Sequence, residues 1–234
     1  MRLNAYLARA GLASRRGADE LIKAGRVSVN GEPGQLNTFV ETADDVRVDG
    51  RLVGKQALRY VLLNKPRSTI TTARDPEGRP TVVDLVGGAI RVVPVGRLDR
   101  ETTGVLLLTN DGDLAHRLAH PRYRVEKVYV ADVEGEPDDK TLRALAEGVE
   151  LEDGRTAPAR ARLLGPSRVE ITLHEGRNRQ VRRMLETLGY PVHKLRRSRY
   201  AGITTGRLQR GQFRELTRDE VARLRRLVGL GSRR

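Results

Sequence analysis

Short apolar runs of strand length recur along the middle of this chain, and few helical segments separate them. The runs lie at 59–63, 91–95, 104–109, 127–134 and 168–173. Helical patterns come between them at about 112–119 and 139–147, and Pro121 and Gly148 mark their ends. Because no regular strand–helix–strand repeat is present, the pattern disfavours a doubly wound parallel fold. It predicts an α+β domain on a mixed, mainly antiparallel sheet with flanking helices.

The first sixty residues predict a separate and smaller unit. Apolar residues at helical spacing indicate a helix within 3–10, and Ser14 is a suitable N-cap for a second helix over 15–24. An alternating strand then reaches a turn at 27–31, and another ends in a turn at 46–50. Two short helices and a hairpin make a compact α+β module.

A boundary is predicted at Lys55 to Leu58, between this module and the next buried strand. We therefore expect one domain at 1–56 and a second at 57–234. The last four residues, 231–234, have the composition of a loose end.

The net formal charge of +14 is concentrated in the last quarter of the chain. Residues 1–60 carry +3, residues 61–173 carry −1, and residues 174–234 carry +12. An excess of this size indicates a polyanionic partner. The basic quarter is predicted to be folded, because it contains a helical pattern at 178–188 and a capping box at 217–220 that begins a final helix.

Three arginines are predicted to share one face of the 178–188 helix. Val181 begins an apolar stripe along this helix, and the helical period places Arg179, Arg182 and Arg183 on the opposite face. Three cations on one face repel each other unless an anion lies between them, which agrees with a polyanionic ligand.

Several classes of site are disfavoured by what the sequence lacks. Absence of cysteine excludes disulfides, thiolate zinc sites and a cysteine nucleophile, and no phosphate-binding or dinucleotide-binding glycine motif is present. His116 and His120 are four residues apart without an obvious third ligand, so we interpret them as surface or capping residues. We expect no metal and no cofactor. Without a signal core or an apolar run of membrane length, we expect a cytoplasmic monomer with no membrane partner.

One candidate carboxylate stands out. Asp99 lies in the segment 96–104 between two apolar strands, with Arg97 and Arg100 beside it. Nearby cations favour an ionised carboxylate, which suits a nucleophile or an RNA-facing group. By composition alone, a surface ion pair is the commoner explanation of such an aspartate.

The N-terminal module carries the string LARAGLASRRGADELIKAGRVSVNG. This string resembles the small S-four RNA-binding domain of certain ribosomal proteins, tyrosyl-tRNA synthetases and rRNA-modifying enzymes. The resemblance covers residues 2–50 and implies that Arg15, Arg16 and Lys23 face RNA.

The larger domain contains VGRLDRETTGVLLLTNDGDLAHRLAHP, then EKVYVA, and later EGRNRQVRRML. These motifs resemble the pseudouridine synthases that modify bacterial ribosomal RNA, in the branch that carries an N-terminal S-four module. Asn64-Lys65-Pro66 and GRLQRGQFRELT agree with this resemblance, which runs over nearly the whole chain in family order. The segment RDPEGRPTVVDLV is more similar to members acting on 23S rRNA than to those acting on 16S rRNA.

The resemblance implies roles for particular residues. Asp99 matches the essential aspartate, Tyr129 the tyrosine that packs on the target uracil, and Arg182 the arginine that pairs with the aspartate. Leu195 takes the place of an apolar residue lining the uracil pocket. The remaining basic assignments are Arg97 to substrate binding and, to the RNA backbone, Arg177, Arg179 and Arg183. The chain departs from the family at Arg67-Ser68, where a turn must form without the usual glycine.

The predicted activity is cofactor-free isomerisation of one uridine, in ribosomal RNA or a pre-ribosomal particle. Asp99 would either attack C1′ of the ribose or remove a proton from C2′, and the sequence leaves both routes open. Three alternatives remain: a 16S rRNA enzyme, a non-catalytic RNA-binding ribosome-assembly protein, and a retaining glycosidase-like hydrolase. The last needs a second acid about 5–5.5 Å from the nucleophile, for which Glu101 is the neighbouring candidate.

Overall fold

The protein is described here by a computed structural model covering residues 1–41, 43–54 and 56–231. The predicted boundary at Lys55 to Leu58 begins on a residue outside the described ones. Of the predicted loose end at 231–234, only Gly231 lies within them.

The described chain divides into two compact units. The first comprises Met1–Arg59 with Gly88–Arg91 and Asn110–Gly112, and the second comprises the other described residues. The division of the chain into domains at 56/57 stays a prediction.

The first unit is built from two helices and a four-stranded antiparallel sheet. Its elements are α1 (Leu3–Arg9), α2 (Arg15–Lys23), β1 (Val27–Val29), β2 (Glu32–Pro33), β3 (Val46–Val48) and β4 (Arg51–Leu52). The strands lie in the order β2-β1-β3-β4. Ser14 caps α2 as predicted, since its Oγ accepts a hydrogen bond from the Gly17 amide at 3.0 Å. The two predicted helices and the pairing of the predicted strands β1 and β3 are confirmed.

A single small core holds this unit together. Leu3 and Leu7 from α1 pack with Ile22 from α2 and with Val27 and Val46 from the sheet. The apolar faces of both helices therefore lie on one side of the sheet, and their charged faces are left exposed.

The second unit is larger and carries nine strands. Its elements are β5 (Tyr60–Lys65), α3 (Val82–Val86), β6 (Val93–Pro94), β7 (Thr103–Thr109), α4 (Gly112–Ala119), β8 (Lys127–Val133), α5 (Asp139–Glu147), β9 (Arg160–Gly165), β10 (Arg168–Leu173), α6 (Gln180–Thr187), β11 (Val192–Tyr200), β12 (Ile203–Thr204), β13 (Phe213–Glu215) and α7 (Arg218–Leu227). The strand order is β13-β5-β7-β11-β8-β10-β9, with β12 on β11 and β6 on β7.

The sheet is mixed, as predicted. β7 and β11 run parallel to each other, and the remaining described pairs of this sheet are antiparallel. Both faces of β7 are buried: Leu107 packs in one core with α4 and α7, and Leu106 packs in another with α3. The α+β fold class is confirmed, with β7, β8 and β11 adjacent in its sheet.

Several elements were not predicted from the sequence. These are the helix α3 and the strands β9, β12, β13 and, above all, β11, because none of them has a strong apolar pattern.

The start of α6 differs from the prediction. This helix begins at Gln180 rather than Asn178, because Arg179 has a left-handed backbone with φ +47°. The turn without glycine is made by Ser68, whose φ is +60°. The capping box of α7 is confirmed, with both hydrogen bonds between Thr217 and Glu220 present.

Candidate active site

The loop that carries Asp99 is fixed by buried anchors on either side. Thr71 Oγ1 donates a hydrogen bond to the Leu98 carbonyl at 2.7 Å, and Leu98 is itself buried. The Lys65 Nζ donates to the carbonyl oxygens of Arg100 and Thr102, each at 3.0 Å. Asp99 is half-buried between these anchors. Its backbone is therefore held in place while its carboxylate remains accessible.

Asp99 lines a cavity of about 310 Å³ within the second unit. Five other predicted site residues line the same cavity: Arg97, Tyr129, Arg177, Arg179 and Leu195. Its volume is at the lower end of the range of small-molecule sites, which suits a single nucleobase. The structure thus gathers residues from the 96–104 loop, β8 and β11 around one space.

Tyr129 lies in the middle of β8. It is half-buried, and its register partners are Ile171 on β10 and Arg197 on β11. A ring in this position offers a flat apolar surface to the cavity and keeps its hydroxyl polar. The predicted antiparallel strand around it is confirmed.

Arg182, predicted on the helix face opposite the apolar stripe, is buried. Only 7% of Arg182 is exposed, because α6 packs against β11, where the Arg182 Nη1 donates to the Val192 carbonyl at 2.7 Å. Burial lowers the pKa of Arg182, and the charge of Asp99 acts in the opposite direction. No direct ion pair joins the two side chains, both of which are described, and Arg182 does not line the cavity. Its role toward Asp99 stays a proposal.

The other basic residues of this helix have an internal anionic partner. Arg183 pairs with Asp153 at 2.9 Å, and Arg177 contacts the same carboxylate at 3.4 Å. The hydrogen bond from Arg183 is the main cause that holds the pKa of Asp153 below its usual range. Arg179 is exposed at the cavity rim. Asp153 therefore supplies the anion that the sequence pattern assigned to a ligand alone.

The predicted RNA-facing residues of the first unit lie on α2. Arg15 and Arg16 are exposed in its first turn, and Lys23 is exposed in its last turn. Lys23 pairs with Glu20 at 3.1 Å. Arg15 and Arg16 therefore carry the less compensated charge of this helix.

The structure brings two basic residues into the cavity that sequence reasoning missed. Lys127 on β8 and Arg197 on β11 both line it and are almost completely buried. Neither residue was among the predicted site residues. A fully buried cation beside a cavity is a signal that only the packing shows.

The two histidines four residues apart serve different local roles. His120 caps a short 3₁₀ helix, since its Nδ1 accepts from the Arg122 amide at 3.2 Å. The His116 ring lies 5.3 Å from the His120 ring. The capping interpretation of His120 is confirmed.

Comparison with protein families assigns both units. A family of RNA pseudouridylate synthases matches residues 59–187, and the S4 domain, the S-four module described above, matches residues 1–46. The chain belongs to the RNA pseudouridylate synthase family and carries an RNA-binding S4 domain. It is an isomerase that acts on RNA.

Named relatives agree over the full length. The chain is 48% identical to the ribosomal large subunit pseudouridine synthase B of Bacillus subtilis, with 98% of each chain covered. It is 43% identical to the protein of the same name from Shigella flexneri, covering 98% of this chain and 84% of that one. A crystal structure of a pseudouridylate synthase superposes with a TM-score of 0.72 at 31% identity, over 96% of this chain and 99% of that chain.

Proposed function

We propose that this enzyme isomerises one uridine of 23S rRNA, the RNA of the large ribosomal subunit, to pseudouridine. The observation that carries the proposal is the cavity in which Asp99, Tyr129 and Leu195 meet. The names of the relatives, which refer to the large subunit, support the choice of RNA.

Asp99 is the group that acts on the ribose. On one route its carboxylate oxygen attacks C1′ as the N1–C1′ bond breaks, and on the other it removes the proton from C2′. Lys65 and Thr71 hold the loop backbone, so the carboxylate needs little reorganisation when a nucleoside enters. Arg182 interacts with Asp99 electrostatically, since the charge of Asp99 raises the pKa of this arginine.

The uracil ring lies against Tyr129 and Leu195 after the target nucleotide has left the RNA stack. Arg97, exposed at the cavity, contacts the nucleotide's phosphate. The Tyr129 hydroxyl assists removal of the proton from C5 once the new C5–C1′ bond has formed. These steps use only groups of the protein and the RNA, and they need no cofactor.

Exposed and half-buried cations of both units bind the RNA. Arg15, Arg16 and Lys23 contact the backbone from the S4 domain, and Arg177, Arg179 and Arg183 do so from the catalytic unit. No helix in the described residues is long and apolar enough to cross a membrane. We propose that the enzyme works as a cytoplasmic monomer.

The hydrolase alternative is disfavoured by the position of Glu101. Its carboxylate pairs with Arg67 at 3.1 Å and does not line the Asp99 cavity. A retaining hydrolase needs its second acid beside the nucleophile. Glu101 is instead a suitable control residue.

The test compares Asp99→Asn with Glu101→Gln on 23S and 16S rRNA transcripts. We expect wild type and Glu101→Gln to form pseudouridine at one 23S position, and Asp99→Asn to form none while binding the RNA with unchanged affinity. Full activity of Asp99→Asn would remove the proposed role of Asp99. Pseudouridine formed in 16S rRNA alone would identify 16S rRNA as the substrate, and release of free uracil would favour a hydrolase.

Chemical mapping in cells gives the position. Ribosomal RNA from cells that lack the protein should lose one pseudouridine, and a plasmid-borne wild-type copy should restore it. Restoration by the Asp99→Asn variant would favour the non-catalytic assembly role.

A further inference from the structure

Two buried cations form part of the wall of the Asp99 cavity. Lys127 is 8% exposed and Arg197 is 1% exposed, and both line the cavity. Neither forms an ion pair with an acidic side chain among the described residues. A charge taken out of water is costly unless it meets a partner of opposite sign. Their position therefore favours an anionic ligand in the cavity, in addition to the Asp99 and Glu175 side chains that also line it.

Arg197 has an unused donor. Its Nε donates to the Val105 carbonyl at 2.8 Å, and its guanidinium lies 4.6 Å from the centre of the Tyr200 ring. Its Nη2 is buried without a hydrogen-bond partner. A buried guanidinium nitrogen without a partner is expensive in a folded protein, and an acceptor in the cavity removes that cost.

Lys127 is held only loosely by the protein. Its Nζ lies 3.4 Å from the Val125 carbonyl oxygen and 3.5 Å from that of Glu175, at the long limit of hydrogen bonding. It also lies 5.8 Å from the Tyr200 ring. Burial, reinforced by the charge of Arg197 and opposed by the charge of Glu175, lowers the pKa of Lys127 to about 8. The ammonium group is thus short of acceptors and poised to gain one.

The isomerisation itself generates an anion of matching shape. Whether Asp99 bonds to C1′ or takes the C2′ proton, the N1–C1′ bond breaks with its electron pair left on N1. The negative charge of the detached uracil spreads over N1, O2 and O4. On the first route C5 then attacks C1′ as the bond between C1′ and the Asp99 carboxylate breaks, and on the second C5 bonds to C1′ as Asp99 returns its proton to C2′. On both routes the C5 proton leaves to a base and N1 regains a proton, so atoms and charge balance.

We propose that Lys127 and Arg197 together form the binding site for the detached uracil anion. The Lys127 ammonium and the free Nη2 of Arg197 donate to its oxygens, while Tyr129 and Leu195 hold its ring. Donors fixed in a cavity stabilise developing charge more than they stabilise the neutral substrate, so the pair acts on the rate of bond cleavage. This inference rests on the proposed uridine isomerisation. It assigns to Lys127 and Arg197 the stabilisation of the base as the N1–C1′ bond breaks.

The test uses leaving bases of different stability. RNA with uridine at the target is compared with RNA carrying 5-fluorouridine there, because fluorine withdraws electrons and stabilises the detached base. Single-turnover consumption of the N-linked nucleoside is measured for wild type, Lys127→Met, Lys127→Gln and Lys127→Arg. Arg197→Lys is measured alongside, and Lys140→Met and Arg143→Met, both at exposed positions, are the controls.

We expect Lys127→Met and Lys127→Gln to slow cleavage of uridine by about 100-fold, the cost of removing one donor from such a site. The same variants should slow cleavage of 5-fluorouridine by a clearly smaller factor. Lys127→Arg should retain most of the cleavage rate on both RNAs. The two exposed variants should match wild type, and the affinity for RNA should not change.

Equal losses on both substrates would overturn the proposal, because a merely structural defect does not depend on the leaving base. Circular dichroism identifies a variant that fails to fold, and the proposal is then tested with the remaining folded variants. If wild type converts neither RNA, or if Asp99→Asn remains active, the proposed function fails instead, and that result is distinct from a change in leaving-base sensitivity.

Discussion

The buried ammonium of Lys65 donates a hydrogen bond of 3.0 Å to the carbonyl oxygen of Thr102, three residues after Asp99. The same Nζ reaches the Arg100 and Pro66 carbonyl oxygens, also at 3.0 Å. Three carbonyl groups thus converge on one cation that has no exposure to solvent. The Lys65 side chain therefore fixes the backbone from which the Asp99 carboxylate projects.

Replacement of Lys65 by Met should disable catalysis without removing any group from the cavity. The methionine cannot donate hydrogen bonds to the three carbonyl groups, so the loop relaxes and the Asp99 carboxylate moves away from its reactive position. We expect kcat/KM to fall by about 100-fold, the loss typical of a displacement of about 1 Å. Affinity for RNA should be unchanged, and Lys140→Met should behave as wild type. Unchanged kcat/KM in Lys65→Met would show that the loop holds its shape without the lysine.

The same lysine should make stability depend on pH. Burial lowers the pKa of Lys65 from 10.5 to about 8, against smaller opposing effects of Glu101 and Asp99. Between these values the unfolded chain binds a proton that the folded chain has released, so the free energy of unfolding rises with pH. Urea unfolding should show wild type gaining stability relative to Lys65→Met as pH increases from about 8 to about 10.5. A constant difference would mean that Lys65 keeps its ordinary pKa in the fold.

Gly104 should tolerate no side chain. Its φ is +105°, and an added Cβ would lie 2.2 Å from the Arg197 carbonyl oxygen, where β7 and β11 run side by side. Gly104→Ala should therefore destabilise the protein by about 3 kcal/mol and displace Arg197 from the cavity. Gly165→Ala is the matched control, because nothing lies within 4 Å of an added Cβ there. Equal melting temperatures for the two variants would contradict this account.

Salt dependence should separate free from internally paired cations in the S4 domain. Arg15 and Arg16 are exposed and make no ion pair within the described residues, whereas Arg26 is bound to Asp49 through two hydrogen bonds. Each Ala substitution at Arg15 or Arg16 should reduce the slope of log K against log salt by about one phosphate contact. Arg26→Ala should change the slope little. A filter-binding series with 23S rRNA fragments measures all three.

Local sequence patterns predicted the parts of the fold that depend on neighbouring residues alone. The apolar centre of β7 indicates a buried strand, and Ser14 indicates the start of α2. β11 was missed because its sequence, VHKLRRSRY, carries four cations within nine residues. Arg197 is buried in the centre of this sheet with the Tyr200 ring three residues along the strand and with one partner distant in sequence, the Val105 carbonyl.

In the candidate site too, local features could be predicted from the sequence and burial by distant residues could not. Asp99 could be found from its motif, because a short loop between buried strands is a local feature. The burial of Arg182 was not predicted, since the helical period describes apolar stripes and does not include how far a guanidinium reaches. The burial of Lys127 was not predicted, because a lysine at the start of a half-buried strand carries no signal for it, yet only 8% of Lys127 is exposed. These long cationic side chains depend on partners that no local pattern contains.

The charge of Lys127 should set the alkaline limit of the reaction. Its pKa of about 8 means that the ammonium is present below this pH and is lost as pH rises through it. If the charged form holds the uracil anion, the single-turnover rate of wild type falls above about pH 8, in proportion to the fraction of neutral lysine. Three other groups face this lysine: burial raises the pKa of Tyr200 to about 12, the charge of Arg197 lowers the pKa of Lys127, and the charge of Glu175 opposes that effect.

Lys127→Arg supplies the decisive comparison, because a guanidinium keeps its charge throughout this range. We expect the fall above about pH 8 to disappear in this variant, while a pH-rate profile of Lys140→Met follows wild type. Lys65, whose pKa is also about 8, is present in both proteins, so a decline caused by its titration would persist in Lys127→Arg. Persistence of the alkaline limb would therefore assign the decline to the Lys65 anchor of the Asp99 loop and remove Lys127 from the charge-stabilising step.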